Sequence, residues 1–383
     1  MKPKIYLALV DDWELRGNGS GDVQDIQVRP MLELLAIYER NGIRGSFNAE
    51  VMQQLAFRRL QDAHPELKHA ADTWDAAVLD AYRRGHDVQL HIHPQWNDAA
   101  YIDGTCQLTS DWSILNYRPD EALRMLTDSK NYLESLIRTI NPDYRCVSFR
   151  SGSWCIAPSP FMLDLLADLA IVFDMSIVPG VRFNTRKISL DFTVCEETFL
   201  PYYPLMTDAR HVSEKREPIV CVPTNYFYGT GPQVLGQHFR QAILRIKKHF
   251  ENGRHAADNQ RKTEIHGNEW AELDRPSLAE DIYNKAAVYI KGKHFISDIA
   301  RLSYPLLCEM LSSIRQRAAM SGLEEVPVIL TNHTKDINNL SAIERFTADL
   351  ARADDVRCIT LTQLAHHLQT GRFSVRSGRQ PIG

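Results

Sequence analysis

Carboxylate and imidazole side chains follow two apolar runs near the start of this chain. Asp11 and Asp12 come directly after the run 5–10, and His91 and His93 are separated by one apolar residue. Adjacent carboxylates repel each other unless a cation compensates for their charge. Residues i and i+2 of a strand face the same side, so the two imidazoles converge. Two imidazoles and a carboxylate are typical ligands of Zn²⁺ or a similar divalent ion.

Each of these patterns also has an ordinary structural explanation. Paired acids are common in solvated turns, and histidines at a strand end can be purely structural. Arg150, Asp174 and His333 also follow apolar runs, and His333 could act as a general acid or base. Taken singly, His333 is better explained as an ordinary loop histidine, and Arg150 and Asp174 are weak signals because surface Arg and Asp are common. Their order along the chain is therefore more informative than any one of them.

The elements that must position these residues alternate between strand and helix. Amphipathic helical segments separate short apolar runs that read as strands, at 5–10, 43–48, 87–92, 146–150, 170–173, 219–223 and 326–330. Repeated strand–helix units predict an α/β fold with a parallel sheet or barrel and helices outside it. In such folds the active site forms at the carboxyl ends of the strands, where the polar residues lie.

Five motifs occur in a recognisable order: LVDDWE, GHDVQLHIHP, FRSGSW, FDMS and ILTNH. In this order they resemble the NodB-homology polysaccharide deacetylases, a carbohydrate esterase family 4-like group. The resemblance covers about residues 4–180 and 325–370. It implies a distorted (β/α) barrel, usually of seven strands, and a metal-dependent deacetylase activity.

The resemblance also implies a metal site made of Asp12, His91 and His93. The family places its second histidine four residues after the first, but position 95 is Gln in this chain. We assign His93 instead because it shares a strand face with His91. Zn²⁺ is the expected ion, and Ni²⁺, Co²⁺ and Mn²⁺ suit the same ligands.

Four further residues match catalytic positions of the family. By resemblance, Asp11 is the general base, Arg150 pairs with that base, and Asp174 holds the catalytic histidine. His333 resembles that histidine and would protonate the leaving amine. The arginine motif lacks the family's usual proline, so the substrate pocket is expected to differ from that of chitin or peptidoglycan deacetylases.

Tryptophans flank the same motifs and could bind substrate. Trp13, Trp96 and Trp154 adjoin the motifs, and Trp112 lies in the long polar and aromatic segment 95–117. Aromatic faces stack on sugar rings, which suits a carbohydrate, but ordinary core packing explains such residues equally well.

The strand–helix rhythm breaks in the later half of the chain. We expect residues 1–181 and 305–383 to form the barrel, and 182–304 to be a lid-like helical insertion that contains one barrel strand. His266 and Glu269 in the insertion have helical spacing and could ligate a metal, although a solvated helix face is favoured.

Composition limits the class of protein. The chain has 383 residues, 44% of them hydrophobic, and a net charge of −4, which gives no reason to expect a nucleic-acid partner. No signal peptide or membrane span is evident, so we expect a cytoplasmic protein, with a homo-oligomer possible. The seven cysteines include no C-x-x-C pair, which argues against a Cys-ligated zinc site.

The sequence is compatible with three functions. The first is removal of an acetyl group from an N-acetylated sugar or polysaccharide precursor, by a metal-activated water with Asp11 as base and His333 as acid. The second is hydrolysis of a non-sugar amide or cyclic imide, as in allantoinase-like relatives of the fold. The third is a sugar-binding barrel without catalysis, against which the presence of both catalytic residues argues. A compact pocket would favour the second, and an open groove the first.

Overall fold

A parallel sheet forms the centre of the computed structural model, which describes residues 2–108, 111–185, 188–251, 278–337 and 339–378. Its eight strands are β1 (Lys4–Trp13), β2 (Ser46–Glu50), β3 (Asp87–Ile92), β4 (Ser148–Ser151), β5 (Phe173–Asp174), β6 (Val220–Cys221), β7 (Glu325–His333) and β8 (Val356–Cys358). Seven of them run in the order β6-β5-β4-β3-β2-β1-β7, and β8 also pairs with β1.

The sheet curls so that its two ends approach each other. Just after β6, Thr224 forms a parallel bridge to Ile329 of β7, and the amide of Asn225 donates to the Ile329 carbonyl at 3.0 Å. The pairings between neighbouring strands of the sheet are parallel. The predicted distorted (β/α) barrel with seven successive strands is therefore confirmed.

Strand β1 is buried on both faces, which explains its continuous apolar sequence. Ile5, Leu7 and Leu9 pack into the large cluster beneath the outer helices. The intervening even-numbered residues pack into a second cluster with Phe173 and Val220 on the inner face. This alternation decides which side chains reach the mouth of the barrel.

Ten α-helices are described besides the strands. They are α1 (Arg29–Arg40), α2 (Val51–Leu60), α3 (Pro65–Arg83), α4 (Pro119–Arg138), α5 (Met162–Asp168), α6 (Gly231–Glu251), α7 (Leu278–Lys291), α8 (Tyr304–Met320), α9 (Leu340–Arg352) and α10 (Leu361–Gln369). No helix in the described part of the chain is long and apolar enough to cross a membrane.

The predicted insertion contains α6, α7 and small antiparallel ribbons. One ribbon pairs Tyr226–Gly229 with Lys293–Ile296, and β6 joins the main sheet from within the same region. The division of the chain into barrel and insertion stays a prediction. His266 and Glu269 lie outside the described residues.

Candidate functional site

The end of β1 directs alternate side chains into a cavity at the mouth of the barrel. Asp12 and Glu14 continue the inner face of the strand and line this cavity, whose volume is about 560 Å³. Asp11 and Trp13 are buried on the opposite side and do not line it. The strand period of two thus separates the adjacent pair of acids, with only Asp12 reaching the cavity.

Four buried side chains meet at the edge of this cavity. One possible ligand atom from each of Glu14, Glu50, His91 and His93 lies within 4.8 Å of all the others. Glu14 Oε2 is 3.3 Å from His91 Nε2 and 2.5 Å from His93 Nε2. The predicted convergence of the two histidines is present, but the carboxylates that join them are Glu14 and Glu50.

Hydrogen bonds fix both imidazole rings with Nε2 towards Glu14. His91 Nδ1 lies 2.8 Å from the Arg150 carbonyl, which can only accept, so Nδ1 carries a proton and Nε2 is the ring atom that a metal could take. His93 Nδ1 lies 3.0 Å from Gln95 Nε2, which donates to it, so the neutral His93 ring carries its proton on Nε2, towards Glu14. With the Gln95 amide turned over, its oxygen would accept from Nδ1 and leave Nε2 free to bind a metal. A carbonyl that accepts from the other ring nitrogen, as Arg150 does for His91, is the kind of partner that orients metal-binding histidines. Gln95, at the position where the resemblance led us to look for a second histidine, instead contacts His93.

One carboxylate oxygen of Glu50 accepts hydrogen bonds, and the other has no partner among the described residues. Its Oε1 accepts from the backbone amides of Met52 and Gln53, which caps α2, whereas its buried Oε2 has no hydrogen-bond partner among the described residues. Burial raises the pKa of Glu50. An orphaned carboxylate oxygen beside two imidazoles fits a cation site, since buried polar atoms are otherwise satisfied.

Glu14 carries negative charge despite its burial. Burial alone would raise the pKa of Glu14, but the Lys335 ammonium and His93 hold it well below its usual value. Lys335 makes a short contact with Glu14 Oε1. Two imidazoles and two carboxylates form a donor set that suits a divalent transition metal.

Asp12 lies beside this cluster and pairs with Arg150. Arg150 Nη1 donates to Asp12 Oδ1 at 2.9 Å, and Asn48 donates to the same oxygen at 2.9 Å. Although burial opposes ionisation, Arg150 brings the pKa of Asp12 below its ordinary value. The prediction that Arg150 pairs with Asp11 is corrected: strand alternation places Asp12 on the face that Arg150 reaches.

Asp11 is held inside the protein. It accepts hydrogen bonds from the Asn332 side chain and from the Thr334 amide at 3.2 Å. Burial raises its pKa to about 8. Asp11 therefore ties β1 to the end of β7, and the structure does not bring it to the cavity.

His333 reaches the cavity and faces Asp12. Its Nε2 is 3.5 Å from Asp12 Oδ2, and its Nδ1 is 2.9 Å from Asp298 Oδ2. The expected partner Asp174 instead accepts from the hydroxyl (2.6 Å) and the amide (3.0 Å) of Ser176. This pairing is a second correction, because a bridge from Asp298 to Thr331 of β7 puts Asp298, not Asp174, beside His333.

The tryptophans divide into cavity and core residues. Trp154 lines the cavity and stacks on Phe183 with ring centroids 6.1 Å apart, and Trp112 also lines it. Trp13 donates to the Gln27 carbonyl at 2.9 Å and is buried in the core. Trp96 is also buried and packs edge-on to a phenylalanine. Of the three predicted substrate-binding tryptophans, the structure brings only Trp154 to the site.

Glu14, Glu50 and Asp298 were missed from the sequence. The same-face rule that joined the two histidines also joins Glu14 to Asp12, so Glu14 could have been found. Glu50 lies two residues after the predicted strand 43–48 and ends the observed strand β2, so a longer predicted strand would have pointed to it. Asp298 follows no predicted strand, and its place depends on the tertiary fold.

Comparisons with known proteins bear on the fold. No protein-family profile and no curated protein matches the chain. A protein assigned as a polysaccharide deacetylase from Mycobacterium smegmatis has a TM-score of 0.50 and 12% identity, covering 100% of this chain and 96% of that one. A probable polysaccharide deacetylase from Pseudomonas aeruginosa has a TM-score of 0.47 and 12% identity, covering 96% of this chain and 92% of that one. An allantoinase has a TM-score of 0.47 and 10% identity, covering 96% of this chain and 91% of that one. The chain has the fold of the NodB-like deacetylases.

Proposed function

We propose that this protein is a metal-dependent hydrolase that removes an acetyl group from an N-acetylated sugar or polysaccharide precursor. The observation that carries the proposal is one cavity holding a Glu14–His91–His93 cluster beside the facing pair Asp12 and His333. Metal ligands, a proton acceptor and a proton donor are the groups that metal-dependent hydrolysis of an amide uses.

The proposed ligands are Glu14, His91 and His93, with Glu50 as a fourth. A divalent ion bound there would lower the pKa of a water molecule and polarise the substrate carbonyl. Zn²⁺ is the expected ion, and Ni²⁺, Co²⁺ or Mn²⁺ would suit the same donors. This proposal replaces Asp12 by Glu14 as the carboxylate ligand.

We assign Asp12, rather than Asp11, as the general base. Asp12 lines the cavity and is kept ionised by Arg150, so it can take the proton of the attacking water. His333 would give a proton to the amine nitrogen as the C–N bond breaks. Asp298 orients His333 and favours its cationic form. Acetate and the free amine are the products.

The cavity suits a small substrate with a flat or ring-shaped surface. Trp112 comes from the segment 95–117, and Phe183 and Arg301 come from the predicted insertion, so both regions close over the site. Its volume of about 560 Å³ is within the range of small-molecule sites. The aromatic walls favour a sugar ring, while closure from two sides favours the alternative, a small amide or cyclic imide.

The test is acetate release by purified protein supplied with divalent ions. N-acetylglucosamine and its short oligomers should release acetate, and allantoin should be left intact. Asp12→Asn should lower kcat by about 10²-fold or more, the usual range for a general base, whereas Asp11→Asn should have a much smaller effect. Hydrolysis of allantoin without acetate release would favour the alternative, and full activity of Asp12→Asn would refute the assigned base.

A further inference from the structure

A second cavity adjoins the site and is built largely by the insertion. Its volume is about 390 Å³, and Lys293 and Phe295 of the second ribbon strand lie in its wall. It shares Trp154, Arg301, His333 and Lys335 with the first cavity. The two cavities therefore meet at His333, and a molecule bound in one can extend into the other.

Lys293 is the unusual group in this second cavity. Its side chain is half-buried, and its ammonium lies 4.8 Å above the centre of the Phe295 ring. It makes no ion pair or hydrogen bond with any residue that the structure describes, and burial lowers its pKa. Partial burial of a charge without a partner is costly, and an anion bound beside Lys293 would offset that cost.

The other cations at the junction already have carboxylate partners. Arg301 pairs with Asp336 at 2.5 Å, and Lys335 contacts Glu14. Asp298 is the only carboxylate among the described residues that line the second cavity, and it is engaged by His333. Among the described residues that line it, the cavity therefore has a positive group at Lys293 and no free acid to neutralise it.

We infer that this second cavity is a subsite for an anionic group of the substrate, a phosphate or a carboxylate, bound by Lys293 next to the reacting amide. The inference rests on the proposed function for the position of the amide. It narrows the substrate class to an N-acetylated sugar that carries an anion, such as a sugar phosphate. Lys293 recognises the substrate and takes no part in bond breaking.

Binding of inorganic phosphate tests the subsite without any turnover. Calorimetric titration of the wild type should show phosphate binding, and Lys293→Gln should weaken it by about tenfold, as expected for loss of one charge-assisted contact. Lys291→Gln, at the exposed end of α7, is the matched control and should bind as the wild type does. His91→Ala should also keep the binding, which separates this subsite from the metal cluster. No phosphate binding, or equal binding by both lysine variants, would overturn the inference.

Turnover of paired substrates identifies the anion. The ratio of kcat/KM for N-acetylglucosamine 1-phosphate to that for N-acetylglucosamine should exceed one and fall about tenfold in Lys293→Gln but not in Lys291→Gln. The same comparison with N-acetylneuraminate tests a carboxylate. A ratio unchanged by Lys293→Gln for both anions would refute the subsite. Absence of turnover with every sugar would refute the proposed function, and the phosphate titration would then still decide the subsite.

Discussion

At the level of single residues, the site depends on ion pairs that keep buried groups charged. Asp12 is stabilised as an anion by Arg150, and His333 is held by Asp298. Each pair offsets the cost of burying one charge with a nearby opposite charge. Removing one partner should therefore change the protonation of the other, as well as the local geometry.

The pair of His333 and Asp298 gives a prediction about pH. Burial alone would lower the pKa of His333, but Asp298 raises it above its usual value. In Asp298→Asn that pKa should fall, so the alkaline limb of the kcat/KM profile should move to lower pH. We expect kcat to drop about tenfold or more, since the acid is less often protonated and less well oriented.

Asp174→Asn is the matched control for this measurement. Asp174 is buried, and burial raises its pKa to about 6, but its hydrogen bonds go to Ser176. Its substitution should leave the alkaline limb in place. A shifted limb in Asp174→Asn together with an unshifted limb in Asp298→Asn would restore the pairing that the motifs predicted.

Much of the site could be predicted from single residues and their spacing, and there is a physical reason why the rest could not. His91 and His93 were found because a strand period of two makes them converge. Applied to β1, the same rule would have placed Asp12, rather than Asp11, on the cavity face and would have added Glu14 to it. Asp298 could not be found, because a single long-range bridge to Thr331 places it.

At the level of elements, the turn after β4 packs directly on His93 of the proposed metal site. A Cβ added to Gly152 would lie 2.7 Å from His93 Cγ and 2.7 Å from the Ile92 carbonyl oxygen. The next residues, Ser153 and Trp154, have φ of 54° and 58°, in the left-handed region that non-glycine residues rarely adopt. The turn thus brings its backbone against His93 and presents Trp154 to the cavity.

Gly152→Ala should therefore displace His93. We expect metal affinity to fall by about 10–100-fold, the usual cost of disturbing the groups that orient a ligand. Gly236→Ala, in α6, is the control, since its added methyl would meet only the end of a flexible arginine side chain at 3.6 Å. Equal metal affinity in both variants, measured by competition with a chelator, would show that the close approach at Gly152 does not matter.

Long and strongly apolar elements were predictable, while short ones were less so. The run 5–10 is buried on both faces and falls within β1. The segment 95–117, read as a loop, contains a small antiparallel pair, Ala100–Ile102 with Thr105–Gln107. Elements of two or three residues carry little periodicity, and tertiary contacts decide them.

At the level of the whole molecule, a buried histidine makes stability depend on pH. His86 accepts a hydrogen bond from the Gly45 amide at 3.1 Å, next to the start of β2. Burial, together with Arg44, lowers the pKa of His86 to about 4. The unfolded chain takes up a proton near pH 6.5, whereas the folded protein does so only near 4. Stability should therefore fall as pH decreases through this interval.

The corresponding experiment compares urea unfolding of the wild type and His86→Gln between pH 7 and pH 4.5. Over this range the free energy of unfolding should fall by roughly 1–3 kcal/mol more in the wild type than in the variant, because Gln binds no proton. At pH 7 the variant should be less stable, since it packs less well. Parallel losses in the two proteins would show that His86 does not control acid sensitivity.

The barrel could be predicted as a whole, but its closure could not. The alternation of strands and helices was enough to predict a parallel sheet. The order of the motifs was enough to predict seven successive strands. The bridges from Thr224 and Asp298 to β7 join residues far apart in sequence, and no local pattern encodes them. These two bridges bring the predicted insertion, with Lys293 and Asp298, to the mouth of the barrel.

The most direct test is the metal content of purified wild type, Glu14→Gln and Asp12→Asn, each supplied with divalent ions and checked for folding by thermal unfolding. We predict near-stoichiometric metal in the wild type and in Asp12→Asn, and loss of metal in Glu14→Gln, as in His91→Ala and His93→Ala. Metal retained by folded Glu14→Gln but lost from folded Asp12→Asn would contradict the assigned ligands, and a wild type that binds no metal would contradict the centre itself.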